Sequence, residues 1–142
     1  MNKFEKEMLL KNFKAYKEIG AVLFGVISGN FSEGIDFPGD FLNGVVIVGL
    51  PLSKPNLETK ELIRYYNKKF GDKGLDYAYV YPAMIRCMQG AGRCIRSSKD
   101  RGVIVFLDER YIWKKYYQCF PPDWEMKITR NPLKMIEEFF YK

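Results

Sequence analysis

Along the first positions of the chain the apolar residues recur at helical spacing. Leu9, Leu10, Phe13 and Tyr16 share one face of a stretch, 3–18, that is rich in Lys, Glu, Leu and Phe and free of Gly and Pro. The pattern predicts a helix that Gly20 ends. The period then changes. AVLFGVI at 21–27 is a continuous apolar, partly β-branched run bounded by turn residues, which predicts a strand buried on both faces. SGNFSEGIDFPGDFLNG (28–44) reads as a long glycine-rich loop, and VVIVGL (45–50) as a second buried strand.

Asn56 is placed to cap a helix running to about Phe70, with Lys68 and Lys69 in its last turn and Gly71 as its stop. A third helix is expected over roughly Tyr79–Ser97. It leads through the polar turn SKDRG into a third apolar strand, VIVFL (103–107), closed by Asp108, Glu109 and Arg110. A Tyr- and Trp-rich helix should follow. MKIT (126–129) reads as a short edge strand, and Asn131 with Pro132 as the start of a terminal helix whose inner face is Leu133, Ile136 and Phe140. Helices alternating with fully apolar strands predict an α/β domain: a mostly parallel sheet with helices on both faces. In such sheets ligands sit beyond the carboxyl ends of the strands, which directs attention to the loop 28–44 and to the residues after Leu107.

At 142 residues, 47% hydrophobic and 16% aromatic, the chain fits a single domain, 1–142. The 23 Lys and Arg against 17 Asp and Glu leave a net charge of +6, which favours a polyanionic partner. The absence of histidine removes His-dependent catalytic triads and His-ligated metals. Cys87, Cys94 and Cys119 lack paired-cysteine spacing and read as buried free thiols, so neither a metal nor an iron–sulfur cluster is expected. No apolar run is long enough for a membrane span, and the N-terminus lacks a signal-peptide core, so the expected location is cytoplasmic.

The segment from Met84 to Ile95 concentrates the chemistry. On a 100° wheel Met84, Met88, Ala91 and Ile95 form an apolar stripe flanked by Cys87 and Cys94, while Arg86, Gln89, Arg93 and Arg96 form a polar stripe opposite. A solvated helix face explains the charges but not Gly90 and Gly92, each of which costs about 1 kcal/mol relative to Ala inside a helix. A close approach to another surface explains both features, because paired guanidiniums suit the oxygens of a polyphosphate. The loop SGNFSEGIDF admits several readings: a phosphate cradle with Ser28 and Asp36 as polar contacts, a plain connection, or an acid–base pair of Glu33 and Asp36. VIVFLDE resembles a Walker B strand in form, but the chain has no GxxxxGK[ST] loop, so Asp108 and Glu109 are not assigned to Mg²⁺.

Two segments, GVISGNFSEGIDFPGDFLNGVVIVGLPL and YVYPAMIRCMQGAGRCIRSSKDRGVIVFLDERY, resemble the C-terminal helicase domain of the XPD and DinG group of superfamily 2 DNA helicases. Gly29, Phe31, Glu33, Gly34 and Asp36 match motif V (about 28–37). Gln89, Gly92, Arg93 and Arg96 match motif VI (about 89–96), and the match covers roughly 20–111.

The resemblance implies a RecA-like domain, the second of an ATP-driven motor that moves along single-stranded DNA, expected to lack the strand that normally opens it. It implies that ATP, with its Mg²⁺, is held mainly by a first RecA-like domain outside this sequence. Arg93 and Arg96 would be arginine fingers, an effect worth on the order of 10³–10⁵ in rate. Gln89, Gly92, Gly34, Asp36 and Glu33 would lie at the nucleotide, and Ser28 and Gly29 at the DNA backbone. It carries over 5′→3′ movement and a repair role, and the isolated chain is expected to be inactive. The competing expectation is a stand-alone nucleic-acid-binding or regulatory module, in which Tyr111, Trp113, Tyr116 and Tyr117 either stack on single strands or pack the last helix.

Overall fold

A computed structural model of the chain describes residues 2–27, 37, 41–52, 54–95, 97 and 99–141. Its first helix, α1 (Lys3–Ala15), starts with a reciprocal capping box: Glu5 N donates to Asn2 Oδ1 and Asn2 N to Glu5 Oε2, both at 2.8 Å. Gly20, at φ +94°, turns the chain away from it. Helix α2 (Leu57–Phe70) is capped by Asn56, whose Oδ1 accepts from Thr59 N at 2.8 Å, and ends at Gly71 with φ +61°. The α2 boundaries are local and fall where the sequence places them, whereas α1 ends at Ala15, short of the expected 18.

Strands β1 (Gly44–Val48) and β2 (Val103–Leu107) pair in parallel, with Val45 opposite Ile104 and Ile47 opposite Phe106. Helix α3 (Tyr81–Ala91), entered through a π-helical turn at Asp76–Val80, lies on one face of this ladder. Met84, Cys87 and Ala91 from α3 are fully buried, and Met84 and Cys87 cluster with Val80, Ile47, Leu50, Tyr111 and Phe120. Gly90 is the point of closest packing. A Cβ there would stand 3.3 Å from Ile47 Cδ1 and 3.7 Å from Ile27 Cδ1, so its small size serves helix-on-sheet contact.

After β2 the chain makes a 3₁₀ turn (Glu109–Ile112) and the short helix α4 (Lys114–Tyr117), and Lys115 bonds Asp76 at 2.7 Å to hold α4 against the π turn. Helix α5 (Pro132–Tyr141) is tethered through Arg101, whose guanidinium stacks on Phe139 and donates to the Phe139 carbonyl. Between β2, the chain at 124–130 and α5 lies an apolar groove of about 1290 Å³.

Several expectations are corrected. The run 21–26 forms no strand: Phe24 is 88% exposed, and only Ile27 reaches the core. A strand needs a neighbour for its backbone groups, and the described ladder contains only β1 and β2. β1 is buried on one face alone, with Ile47 inward and Val46 and Val48 exposed. MKIT (126–129) is likewise unpaired, and Leu133 points outward, leaving Met135, Ile136 and Phe140 as the less exposed side of α5.

Candidate functional site

Helix α3 stops at Ala91, six residues earlier than its sequence pattern suggests. Gly92 N still donates to Met88 O at 2.8 Å, but Arg93 N bonds Gly90 O at 3.2 Å and Cys94 N bonds Ala91 O at 3.1 Å. The last turn has tightened to three residues per turn. That change takes Ile95 off the core side. At 100° per residue Ile95 would follow Ala91 on the core side; in the tighter turn Cys94 lies directly under Ala91. Cys94 is 3% exposed and Ile95 42%.

Gly92 is therefore the C-cap, not an interior helix residue, and its φ of −64° and ψ of −2° suit any residue. It is exposed, as is Gln89 one turn earlier, while Arg93 is half-buried. The structure brings Gln89, Gly92 and Arg93 onto one end of α3. An amide and a guanidinium on a surface turn form a donor set suited to phosphate oxygens. Arg96 and the loop residues Ser28, Gly29, Phe31, Glu33, Gly34 and Asp36 lie outside the described residues.

The position of this turn corrects the expectation drawn from strand ends. Cys94 Sγ donates to Leu42 O at 3.4 Å and approaches Val103 O at 4.0 Å, so the Arg93 turn sits at the amino ends of β1 and β2. The chain must return from α3 into a strand parallel to β1, and this places the end of α3 where β2 begins. At the opposite, carboxyl end, Asp108 is bound by Arg110 through Nε at 2.8 Å and Nη2 at 2.6 Å. Those bonds, with backbone N–H groups from Arg110 and Leu50, hold its carboxyl below the usual value. Among the described residues no cluster of His, Cys, Asp or Glu is suited to a metal ion.

On α1 the structure adds a feature that the sequence reading did not single out. Phe37 is buried against Phe13, with ring centroids 5.7 Å apart. Lys14 stands over the rings of Phe37 and Phe41, each at 5.9 Å, and Lys17 over Phe41 at 5.1 Å. The lysines are three residues apart on α1, a spacing visible in the sequence; their meeting with Phe41 needed the fold. The aromatic group after β2 divides: Tyr111 is buried, Tyr116 half-buried, and Trp113 and Tyr117 exposed.

A family model described as the helicase C-terminal domain matches residues 2–127. The chain is 35% identical over 105 residues to the regulator of telomere elongation helicase 1 homolog of Oryza sativa, covering 68% of this chain and 10% of that protein. It is 35% identical over 96 residues to the ATP-dependent DNA helicase DinG of Photobacterium profundum, covering 68% and 14%. It is also 35% identical over 135 residues to the ATP-dependent DNA helicase CHL1 of Kluyveromyces lactis, covering 87% and 16%. The parallel pair of strands with its packed helices is accordingly part of a RecA-like α/β domain. With the motif residues in order, the family model spanning most of its length and α3 carrying Gln89, Gly92 and Arg93 to one surface turn, the chain belongs to the helicase C-terminal domain family.

Proposed function

We propose that this chain is the second motor domain of an ATP-dependent DNA helicase, acting together with a first RecA-like domain that carries the phosphate loop and the Mg²⁺ ligands. ATP, when bound, supplies the phosphoanhydride bond whose cleavage drives movement. Arg93 and Arg96 hold the terminal phosphate and balance the charge that develops there, and Gln89 senses it through its amide. The observation that carries this reading is the surface turn at Gly92 and Arg93 inside the segment that matches the family. Gly34, Asp36 and Glu33 complete the nucleotide edge. Ser28 and Gly29 contact single-stranded DNA, and 5′→3′ movement belongs to the same reading.

Alone, the chain neither hydrolyses ATP nor unwinds DNA. An ATPase assay on the purified 142 residues tests this, and turnover abolished by Arg96→Ala would sink it. The basic corner at Lys14 and Lys17 favours a second reading, a nucleic-acid-binding module without ATP chemistry. Supplying a relative's first domain in trans separates the two: stimulated turnover that Arg93→Ala removes supports the motor, whereas DNA binding with no such turnover supports the module.

A further inference from the structure

Cys94 stands next to the candidate phosphate-contacting arginine and is almost fully buried. Its sulfur touches two separate parts of the chain, at Leu42 and at Gly102–Val103. It donates to the carbonyl of Leu42, two residues before β1, at 3.4 Å. It approaches the carbonyl of Val103, at the start of β2, at 4.0 Å. It also fills the space over Gly102, where a Cβ would overlap Cys94 Sγ and crowd Asn43 O at 3.3 Å and Leu42 O at 3.5 Å. Glycine at 102 is therefore required by the sulfur and by the two carbonyls behind it. Burial raises the thiol's pKa, which keeps the proton it donates at neutral pH.

We propose that Cys94, seated on Gly102, is a positioning residue that couples the Arg93 turn to Phe41 and Leu42, which lead into β1. The proposal rests on the reading of Arg93 as a phosphate contact and goes beyond it. The tightened turn at the end of α3 leaves Arg93 and Cys94 adjacent and bonded to successive carbonyls, Gly90 and Ala91, so a displacement of Arg93 toward an anion carries Cys94 with it. Cys94 in turn is held to Leu42, and Leu42 follows Phe41, whose ring lies under Lys14 and Lys17. Phosphate binding at one segment and single-strand binding at the other are then linked, and linkage is reciprocal.

The test uses the purified chain, labelled oligothymidylate and inorganic tripolyphosphate at matched ionic strength. In the wild type, saturating tripolyphosphate is expected to change oligothymidylate affinity by about fivefold, the lower end of ordinary coupling. Cys94→Ala, verified as folded by a cooperative melt, is expected to bind both ligands with the change reduced to less than about twofold. Cys94→Ser, which keeps a donor, is expected to restore most of it. Gly102→Ala is expected to behave like Cys94→Ala, and where it does not fold the two cysteine variants carry the test. An undiminished change in folded Cys94→Ala, or none in the wild type, overturns the proposal; simple competition between polyanions would produce the first of these results. Arg93→Ala separates the two layers. If tripolyphosphate acts on it as on the wild type while the Cys94 dependence persists, the coupling stands and the phosphate role of Arg93 fails.

Discussion

The hydroxyl of Tyr111 donates to the carbonyl of Gly49 at 2.7 Å, joining the turn after β2 to the end of β1. The same oxygen lies 3.2 Å from Cys87 Sγ, so α3 is held at this end of the sheet as Cys94 holds it at the other. Tyr111→Phe keeps the ring and leaves the Gly49 carbonyl and the Cys87 thiol without this partner. The expected loss is about 1–2 kcal/mol, read as a lower denaturant midpoint with an unchanged slope.

Gly90→Ala should gain less than its helix propensity promises. Alanine contributes about 1 kcal/mol relative to glycine in a helix interior. The new Cβ, 3.3 Å from Ile47 Cδ1, offsets part of that gain. In an Ile47→Val background, which removes the Cδ1 methyl, the gain from Gly90→Ala should rise, and a double-mutant cycle measures the difference. Equal gains in both backgrounds would show that Gly90 does not set the helix–sheet distance.

Alkaline pH should destabilise the fold. Burial raises the thiols of Cys87, Cys94 and Cys119 above their ordinary 9.0, and burial first, then the Cys87 contact, raises the Tyr111 phenol above 10.0. Groups whose folded pKa is raised contribute stability that is complete below the unfolded value and is lost as pH rises through the folded value. Unfolding midpoints should therefore be flat to about pH 9 and fall beyond it, and Tyr111→Phe should flatten the part above about pH 10.

Acid should act through Asp108. Its hydrogen bonds to Arg110 lower its pKa from 3.8, so it contributes stability above that value which is lost as pH falls through the lowered folded value. Arg110→Ala should lower the stability at neutral pH by more than in acid below the lowered folded value, where the carboxylate is protonated in either protein. Thermal midpoints at the two pH values give the comparison, and equal losses would show that the pair does not stabilise the fold.

Much of the local structure was legible in the residues themselves. Asn56, Gly71 and the run Val103–Leu107 all act through neighbours a few positions away, so their sequence context was sufficient. Motif VI was legible as residue types in order, and the family match bears out that resemblance. The run 21–26 was misread because an apolar, β-branched pattern states a preference for a sheet but supplies no partner strand. Its valines and Phe24 remain exposed for that reason.

The end of α3 shows the division most clearly. The sequence by itself determined that Gln89, Gly92 and Arg93 would follow an apolar helix face packed on a sheet, and that Gly90 would be its smallest interior residue. Tertiary structure decided where that helix would stop and which side of its last turn would face inward. Leu42, Val103 and Gly102 form a socket that accepts the Cys94 sulfur, and none of them is near Cys94 on a helical wheel. Cys94 is buried in that socket, the tighter turn leaves Ile95 in solvent, and together they set the place of Arg93 at the amino ends of the strands.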